Sequence, residues 1–318
     1  MTSMALGAPA PFGERLRHFL LDPEGAEVAI EFSSVAIVGA RIESKRGTLE
    51  VRSLASEPLS TGCFVPTLEG AGFEGREEIR SAVKRVVSRL GIAPSLRTAL
   101  VVPDVVARFR LFAQNEVAAE PKKRNAVIGF RMQKLLPFAP ADARVVSAWP
   151  RSSKDPVLGV GFSSSVLAAY EQIGEAFGLD VGSIETSSMA LLSGLSREGD
   201  ALLVRHDPTW LTLTLTRNGW PVSIRSFDAA VASRPEEVRH EIASTAVFWR
   251  DRLEGVRLVE AQVHAQDEWF ELLSREVEAV FGAVPKRAMP PAGLVAKGTP
   301  SSVARSATPA LALLSASH

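Results

Sequence analysis

Two spacings of apolar residues divide the chain. Strict alternation of apolar and polar positions marks half-buried strands, and apolar residues three and four apart mark helices with one buried face. The clearest alternation sets Leu211, Leu213 and Leu215 against Thr212, Thr214 and Thr216. Asn218-Gly219 then supplies a tight turn needing positive φ, and residues 222–225 return as the partner strand. Residues 28–42 are apolar and β-branched, residues 48–54 follow a turn at Arg46-Gly47, and the two read as a hairpin. The helical period is plainest in 76–90, where Ile79, Val83, Val86, Val87 and Leu90 share a face. Glu77 and Glu78 near its start and Lys84, Arg85 and Arg89 near its end suit the helix dipole, and Gly91 ends it.

The same patterns predict strands at 98–102, 106–112, 145–149, 157–162, 201–204 and 257–263. They predict helices at 125–136, stopped by Pro137, at 165–177, ended by Gly178, and at 268–281, closed by Gly282. Ser233-Arg234-Pro235-Glu236 reads as a capping box opening one more helix, which buries Val238, Ile242, Trp249 and Leu253. Hairpin, helix, insert, then hairpin, helix, strand, helix is a mixed α/β order of two related halves. Residues 290–318 hold four prolines, Pro290, Pro291, Pro300 and Pro309, and no periodic face, so a flexible tail is expected there, and residues 1–11 look similar. Phe12, Leu16, Phe19 and Leu20 fall on one face of a short helix expected to pack on the body of the protein.

Composition narrows the function classes. The chain is 46% hydrophobic and 23% charged, as a globular protein is, and 318 residues suffice for two lobes. Lys+Arg and Asp+Glu are both 36, which gives no electrostatic reason to expect a nucleic acid or an anionic membrane as the main ligand. One cysteine, Cys63, allows no intramolecular disulfide and fits a reducing cytoplasm; it reads as a small buried thiol. With five scattered histidines, a Cys-rich zinc site is excluded. No stretch reaches the roughly 20 apolar residues of a membrane span, and the N-terminus lacks a secretion signal. No acid pair or Ser/His/Asp arrangement stands out: Ser163-Ser164-Ser165 reads as an N-cap, and Gly159-Val160-Gly161 lies inside a strand. The run Lys122-Lys123-Arg124 reads as a solvated loop, because basic residues oppose the dipole at a helix start.

Several segments resemble the PilM family of type IV pilus assembly, within the actin-like ATPase superfamily. Residues 28–35 (Val-Ala-Ile-Glu-Phe-Ser-Ser-Val) are similar to its first phosphate hairpin, and Ala99-Leu100-Val101-Val102-Pro103 to the entry into its inserted subdomain. Residues 130–138, ending in Leu136-Pro137-Phe138, resemble a helix of that insert; residues 202–219 resemble the second hairpin, and 257–264 the strand before the base loop. The resemblance implies an N-terminal extension at 1–27, a first lobe at 28–190 with an inserted subdomain at about 97–163, and a second lobe at 191–289 before the tail at 290–318.

In active members, the resemblance implies, each hairpin pairs an Asp that positions magnesium with a Gly that lets backbone N–H groups reach phosphate. Here Glu31, Ser33 and Ser34 stand in the first hairpin, with Phe32 and Ser33 where the open turn belongs. The second reads Arg205-His206-Asp207-Pro208-Thr209, with Arg205 at the position of the family's Asp, Asp207 where Gly is expected, and Pro208 removing a donor. The base loop, Val263-His264-Ala265-Gln266-Asp267, lacks glycine. Glu31, Ser33, Ser34, Asp207 and Thr209 are therefore the candidate residues of a degraded nucleotide cleft, with no catalytic group and no metal ligand. From the residues alone, Glu31, Asp207 and Thr209 read as ordinary surface and turn residues. Arg205 is expected to pair with Glu31 or Asp207 across the cleft, because an unpaired buried charge is costly.

The expected function is a non-catalytic cytoplasmic scaffold, a pseudo-ATPase without cofactor, peripheral to the inner membrane and able to form a homo-oligomer. By the resemblance it binds the cytoplasmic N-terminal peptide of a PilN-like inner-membrane partner in a groove beside the insert. Phe19-Leu20-Leu21-Asp22-Pro23 could compete for that groove. The alternatives are an active actin-like ATPase or sugar-type kinase using ATP with Mg, and the cytoplasmic part of a type II secretion assembly protein.

Overall fold

Apolar residues on both sides of the first strand require that strand to be covered twice, and the fold is built around that need. The computed structural model describes residues 25–45, 48–73, 77–92, 96–117, 120–150, 152–291, 294 and 301–316; the amphipathic segment at 12–20 and Phe19 to Pro23 lie outside them. The first half contains β1 (Val28–Phe32), β2 (Ala36–Lys45), β3 (Thr48–Pro58), α1 (Glu77–Leu90), β4 (Arg97–Val102), β5 (Ala107–Phe112), α2 (Pro121–Gln133), β6 (Ala143–Ala148), β7 (Val157–Ser163), α3 (Ser164–Glu175), β8 (Asp180–Thr186) and α4 (Ser187–Leu191). The second half contains β9 (Asp200–Asp207), β10 (Trp210–Arg217), β11 (Trp220–Asp228), α5 (Ala229–Ala232), α6 (Pro235–Arg252), β12 (Leu258–His264), α7 (Asp267–Phe281), β13 (Lys286–Arg287), α8 (Ser301–Ser306) and α9 (Thr308–Ala316).

Among the described residues these strands form three sheets. The order β3-β2-β1-β4-β8 of the first half recurs as β11-β10-β9-β12-β13 in the second. In each, three antiparallel strands lead into two that run parallel to the first. A small antiparallel sheet, β5-β7-β6, is inserted between β4 and β8. The two large sheets bring the β1–β2 turn, the β9–β10 turn and the end of β12 together, at the C-terminal ends of parallel strands where open α/β sheets form their crevices.

Side-chain alternation explains the layers. Val28, Ile30 and Phe32 enter the core shared with α1 and α3, while Ala29 enters a second cluster with Val38, Ala40, Ile42, Ala99 and Val101 on the opposite face. That second face is covered by α9, through Ala310, Leu311, Leu313 and Leu314. Gly39 permits close packing of α1, since a Cβ there would lie 2.6 Å from Val86 and from Leu90. In the second half Leu202, Val204, Leu211, Leu213 and Leu215 pack under α6 and α7. The hairpin turn is as expected, with Asn218 and Gly219 at φ 53° and 74°.

Several expectations need correction. The apolar run at 28–42 is two strands, broken where the Ser33 hydroxyl donates to the Ala36 carbonyl at 2.9 Å. The tail expected at 290–318 contains α8 and α9, and α9 is buried from Thr308 to Leu314. A helix buried all round has no polar face, so it shows no amphipathic period. Lys122, Lys123 and Arg124 lie inside α2, which Pro121 opens with its preset φ. Ser233 does not cap α6: its hydroxyl donates to Ala229 O at 2.6 Å and closes α5, and Pro235 starts the next helix. Ser163 occupies the cap position of α3 without capping it; its hydroxyl faces that of Ser165 at 2.8 Å. Gly159 and Gly161 do lie in β7, where a Cβ would meet Phe112, Met132 or Leu136 at 2.9–3.2 Å, so they admit α2 against the sheet.

Candidate functional site

Strand alternation places the charges of the cleft. Along β9, Leu202, Val204 and His206 point toward the helices of the second half, so Arg205 and Asp207 point to the other face, toward the first half. His206 confirms this, accepting no charge partner: its Nε2 donates to Ala232 O at 2.9 Å and its ring stacks on Trp269 at 4.0 Å. Arg205 reaches across. Its Nη2 donates to Glu31 Oε1 at 3.1 Å and its Nε to the Ser187 hydroxyl at 2.8 Å, while Nη1 is held by His206 O at 2.7 Å. Glu31 and Arg205 are both buried, so the expected pairing across the cleft exists.

Asp207 is the other link between the lobes. One oxygen accepts the Ser34 backbone N–H at 3.0 Å, and the other accepts the Ser34 hydroxyl together with the Thr209 N–H at 3.0 Å and hydroxyl at 2.9 Å. Four donors, two from each turn, surround one carboxylate. Asp104, just after β4, is held similarly by the Ser188 N–H at 2.9 Å and the Ser188 hydroxyl, with Thr212 of β10 beside it. The structure thus brings Ser34, Asp207 and Thr209 into one hydrogen-bonded set and Glu31, with Arg205 and Ser187, into a neighbouring one, and Glu31 and Asp207 are buried rather than surface residues. Ser33 belongs to the first set only indirectly, through its two bonds to Ala36 that shape the turn.

One arginine faces three buried carboxylates, and their protonation reflects it. Burial pushes Glu31 up to about 7 against the pull of Arg205, and burial also raises Asp207 and Asp104 despite their donors. Glu31 Oε2 has no hydrogen-bond partner among the described residues. On the far wall, burial brings His264 down to about 3, with Arg205 next in effect; its Nε2 donates to Arg305 O at 3.1 Å. Arg305 and Arg287 both pair with Asp267, at 3.3 and 2.9 Å. The chain's own α8 therefore walls a cleft cavity of about 340 Å³, beside His264, Arg287 and Glu31. Sequence reasoning missed Asp104, Ser187, Ser188 and Arg305. Only Asp104, an acid directly after an apolar strand and Pro103, carried any local signal.

These groups do not fit Mg-ATP. The backbone donors of both turns, Ser34 N–H and Thr209 N–H, are engaged by Asp207 and so are not free to receive a phosphate. Glu31 is engaged by a guanidinium.

No protein-family model and no curated protein matches the chain. Solved structures do. A PilM-PilN type IV pilus biogenesis complex matches at TM-score 0.72 and 13% identity, over 92% of this chain and 98% of that one. A Bacteroides thetaiotaomicron protein with an actin-like ATPase fold and unknown function matches at 0.51 and 12%, over 81% and 89%. The cytoplasmic domain of EpsL, an inner-membrane component of the type II secretion system of Vibrio cholerae, matches at 0.50 and 11%, over 91% and 93%. With its repeated sheet, inserted small sheet and facing turns, the chain has the actin-like ATPase fold, and its shape is similar to that of PilM.

Proposed function

We propose that the protein is a non-catalytic cytoplasmic scaffold of a pilus or related secretion machine, docking the cytoplasmic end of an inner-membrane partner. The observation that carries this is a PilM-like shape whose cleft donors are satisfied by its own Asp207. Localisation under the membrane follows from the partner, and no described helix is long and apolar enough to cross a membrane.

A docking place is at hand beside the insert. β5 is one edge of the small sheet and β11 one edge of the second large sheet, and the two edges face a groove of about 460 Å³ lined by Pro66, Phe109, Ile224 and Phe227. Edge strands offer unpaired main-chain groups, and the groove's mixture of Phe109 and Phe227 with Arg108, Arg225 and Asp228 gives side-chain selectivity, which is the chemistry of extended-peptide capture. The cytoplasmic N-terminal peptide of a PilN-like partner is the expected occupant.

The test measures binding of such a peptide to the wild type and to Phe109→Asp, with ATP hydrolysis followed in parallel. Peptide binding that Phe109→Asp abolishes, without hydrolysis, supports the reading. Hydrolysis above a buffer control contradicts the non-catalytic part, and binding indifferent to Phe109→Asp contradicts the groove. The EpsL likeness favours a second reading, the cytoplasmic part of a type II secretion assembly protein; capture of a secretion component in place of a pilus one selects it.

A further inference from the structure

The disagreement between the fold and its cleft has a specific form. In a nucleotide-binding cleft of this architecture, backbone N–H groups of two facing turns converge on an anion, and a cation balances it. Here both turns still converge. Ser34 N–H and hydroxyl come from the β1–β2 turn, Thr209 N–H and hydroxyl from the β9–β10 turn, and all four meet one side-chain carboxylate. A fixed cation is present too: the Arg205 guanidinium, buried between Glu31 and Ser187 of the first half. Both bridging side chains come from β9, both reach the first lobe, and both are almost wholly inaccessible to solvent.

We infer that Asp207 and Arg205 act as a tethered ligand, the carboxylate standing in for a bound oxyanion and the guanidinium for its counter-cation, so that the two lobes are held shut without any soluble effector. This rests on the non-catalytic reading above and goes beyond it. A merely eroded cleft would leave donors unsatisfied or splay the lobes apart. In this one the described donors of both turns are met, at 2.9–3.0 Å where they engage through N–H or the Thr209 hydroxyl. Being covalently attached, the carboxylate is present at very high effective concentration, and a free anion cannot compete with it.

The inference implies a latent site of defined chemistry. Removing the carboxylate frees Ser34 N–H and Thr209 N–H to grip a small oxyanion, with Arg205 nearby to neutralise it. Gly is the replacement of choice at 207 because it also clears the space the side chain occupies.

The experiment titrates pyrophosphate into the wild type, Asp207→Gly and Asp207→Asn by calorimetry, with each variant first shown to melt cooperatively. In parallel, spin labels at Arg52→Cys on β3 and Val256→Cys in the second lobe, with Cys63 changed to Ala, report the interlobe distance. The expected results are no wild-type binding of pyrophosphate up to the highest concentration titrated, an Asp207→Gly dissociation constant at least tenfold below that concentration, and one narrow interlobe distance that broadens in both variants. Asp207→Asn keeps the side chain's size but offers N–H groups to Ser34, so it loosens the lobes even if Asp207→Gly does not fold. A folded Asp207→Gly that binds no better than wild type, or an Asp207→Asn distance as narrow as wild type, overturns the inference. ATP hydrolysis by the wild type above a buffer control would instead overturn the non-catalytic reading, so the two failures are told apart.

Discussion

The two large sheets share one strand order and solve the problem of their second face differently. The first sheet is apolar on both faces, and α9, from the end of the chain, covers the face that α1 and α3 leave bare. The second sheet is apolar toward α6 and α7, while its other face sets buried Arg205, Asp207, Thr212, Thr214 and Thr216 among the apolar Leu203 and Trp210. One topology thus yields a lobe closed by hydrophobic burial and a lobe whose inner face is a buried polar seam. The seam is specific where the apolar face is merely strong, because Arg205 and Asp207 take partners across the cleft, Glu31 and Ser34.

The contrast is broken most severely on the apolar side. Deleting residues 301–318 strips α8 and α9 from the first sheet and should abolish cooperative folding; the single change Leu311→Ala should cost about 2–5 kcal/mol in a denaturant titration. A deletion variant that unfolds like the wild type would show that α9 is dispensable. On the polar side, Arg205→Met leaves Glu31, Asp207 and Asp104 without their cation, at a cost of about 3–5 kcal/mol. Adding Glu31→Gln to Arg205→Met should recover at least about 1 kcal/mol in a double-mutant cycle, since a lone buried carboxylate is removed. Additive losses would mean that the two groups are not coupled.

A gentler test uses pH. Glu31 rises from 4.5 to about 7 in the fold, so the folded state holds more protons between those values, and this group's contribution to stability is full below 4.5 and lost by about pH 7. The stability difference between wild type and Glu31→Gln should therefore shift against wild type by up to about 3 kcal/mol over that window. His206 and His264, pulled down to about 4 and 3, act oppositely below 6.5 but cancel in that difference. A difference flat with pH would place Glu31 outside the buried seam. Smallest, Asn218→Ala removes an acceptor for Gly199 N–H at 3.0 Å and puts alanine at φ 53°, which should cost about 1–2 kcal/mol by thermal melting.

Much of this fold was readable because its periods are local. The Leu/Thr alternation of β10, the faces of α1 and α7 and the Asn218-Gly219 turn each follow from neighbours a few residues away. What was not readable depends on distant chain. Uniformly apolar α9 reads as tail until the sheet face it covers is known, and Asp207 reads as a turn residue until Ser34, 173 residues away in sequence, is placed beside it. The Arg205 pairing was foreseeable because a charge in an apolar strand demands a partner. Asp104 and Ser188 escaped notice because single polar residues flanking strands are common everywhere.

Calorimetric titration of the intact protein with ATP-Mg tests the account most directly. With Asp207 and Arg205 already filling the places of phosphate and cation, no binding heat is expected up to millimolar nucleotide. Saturable binding in the micromolar range would contradict it.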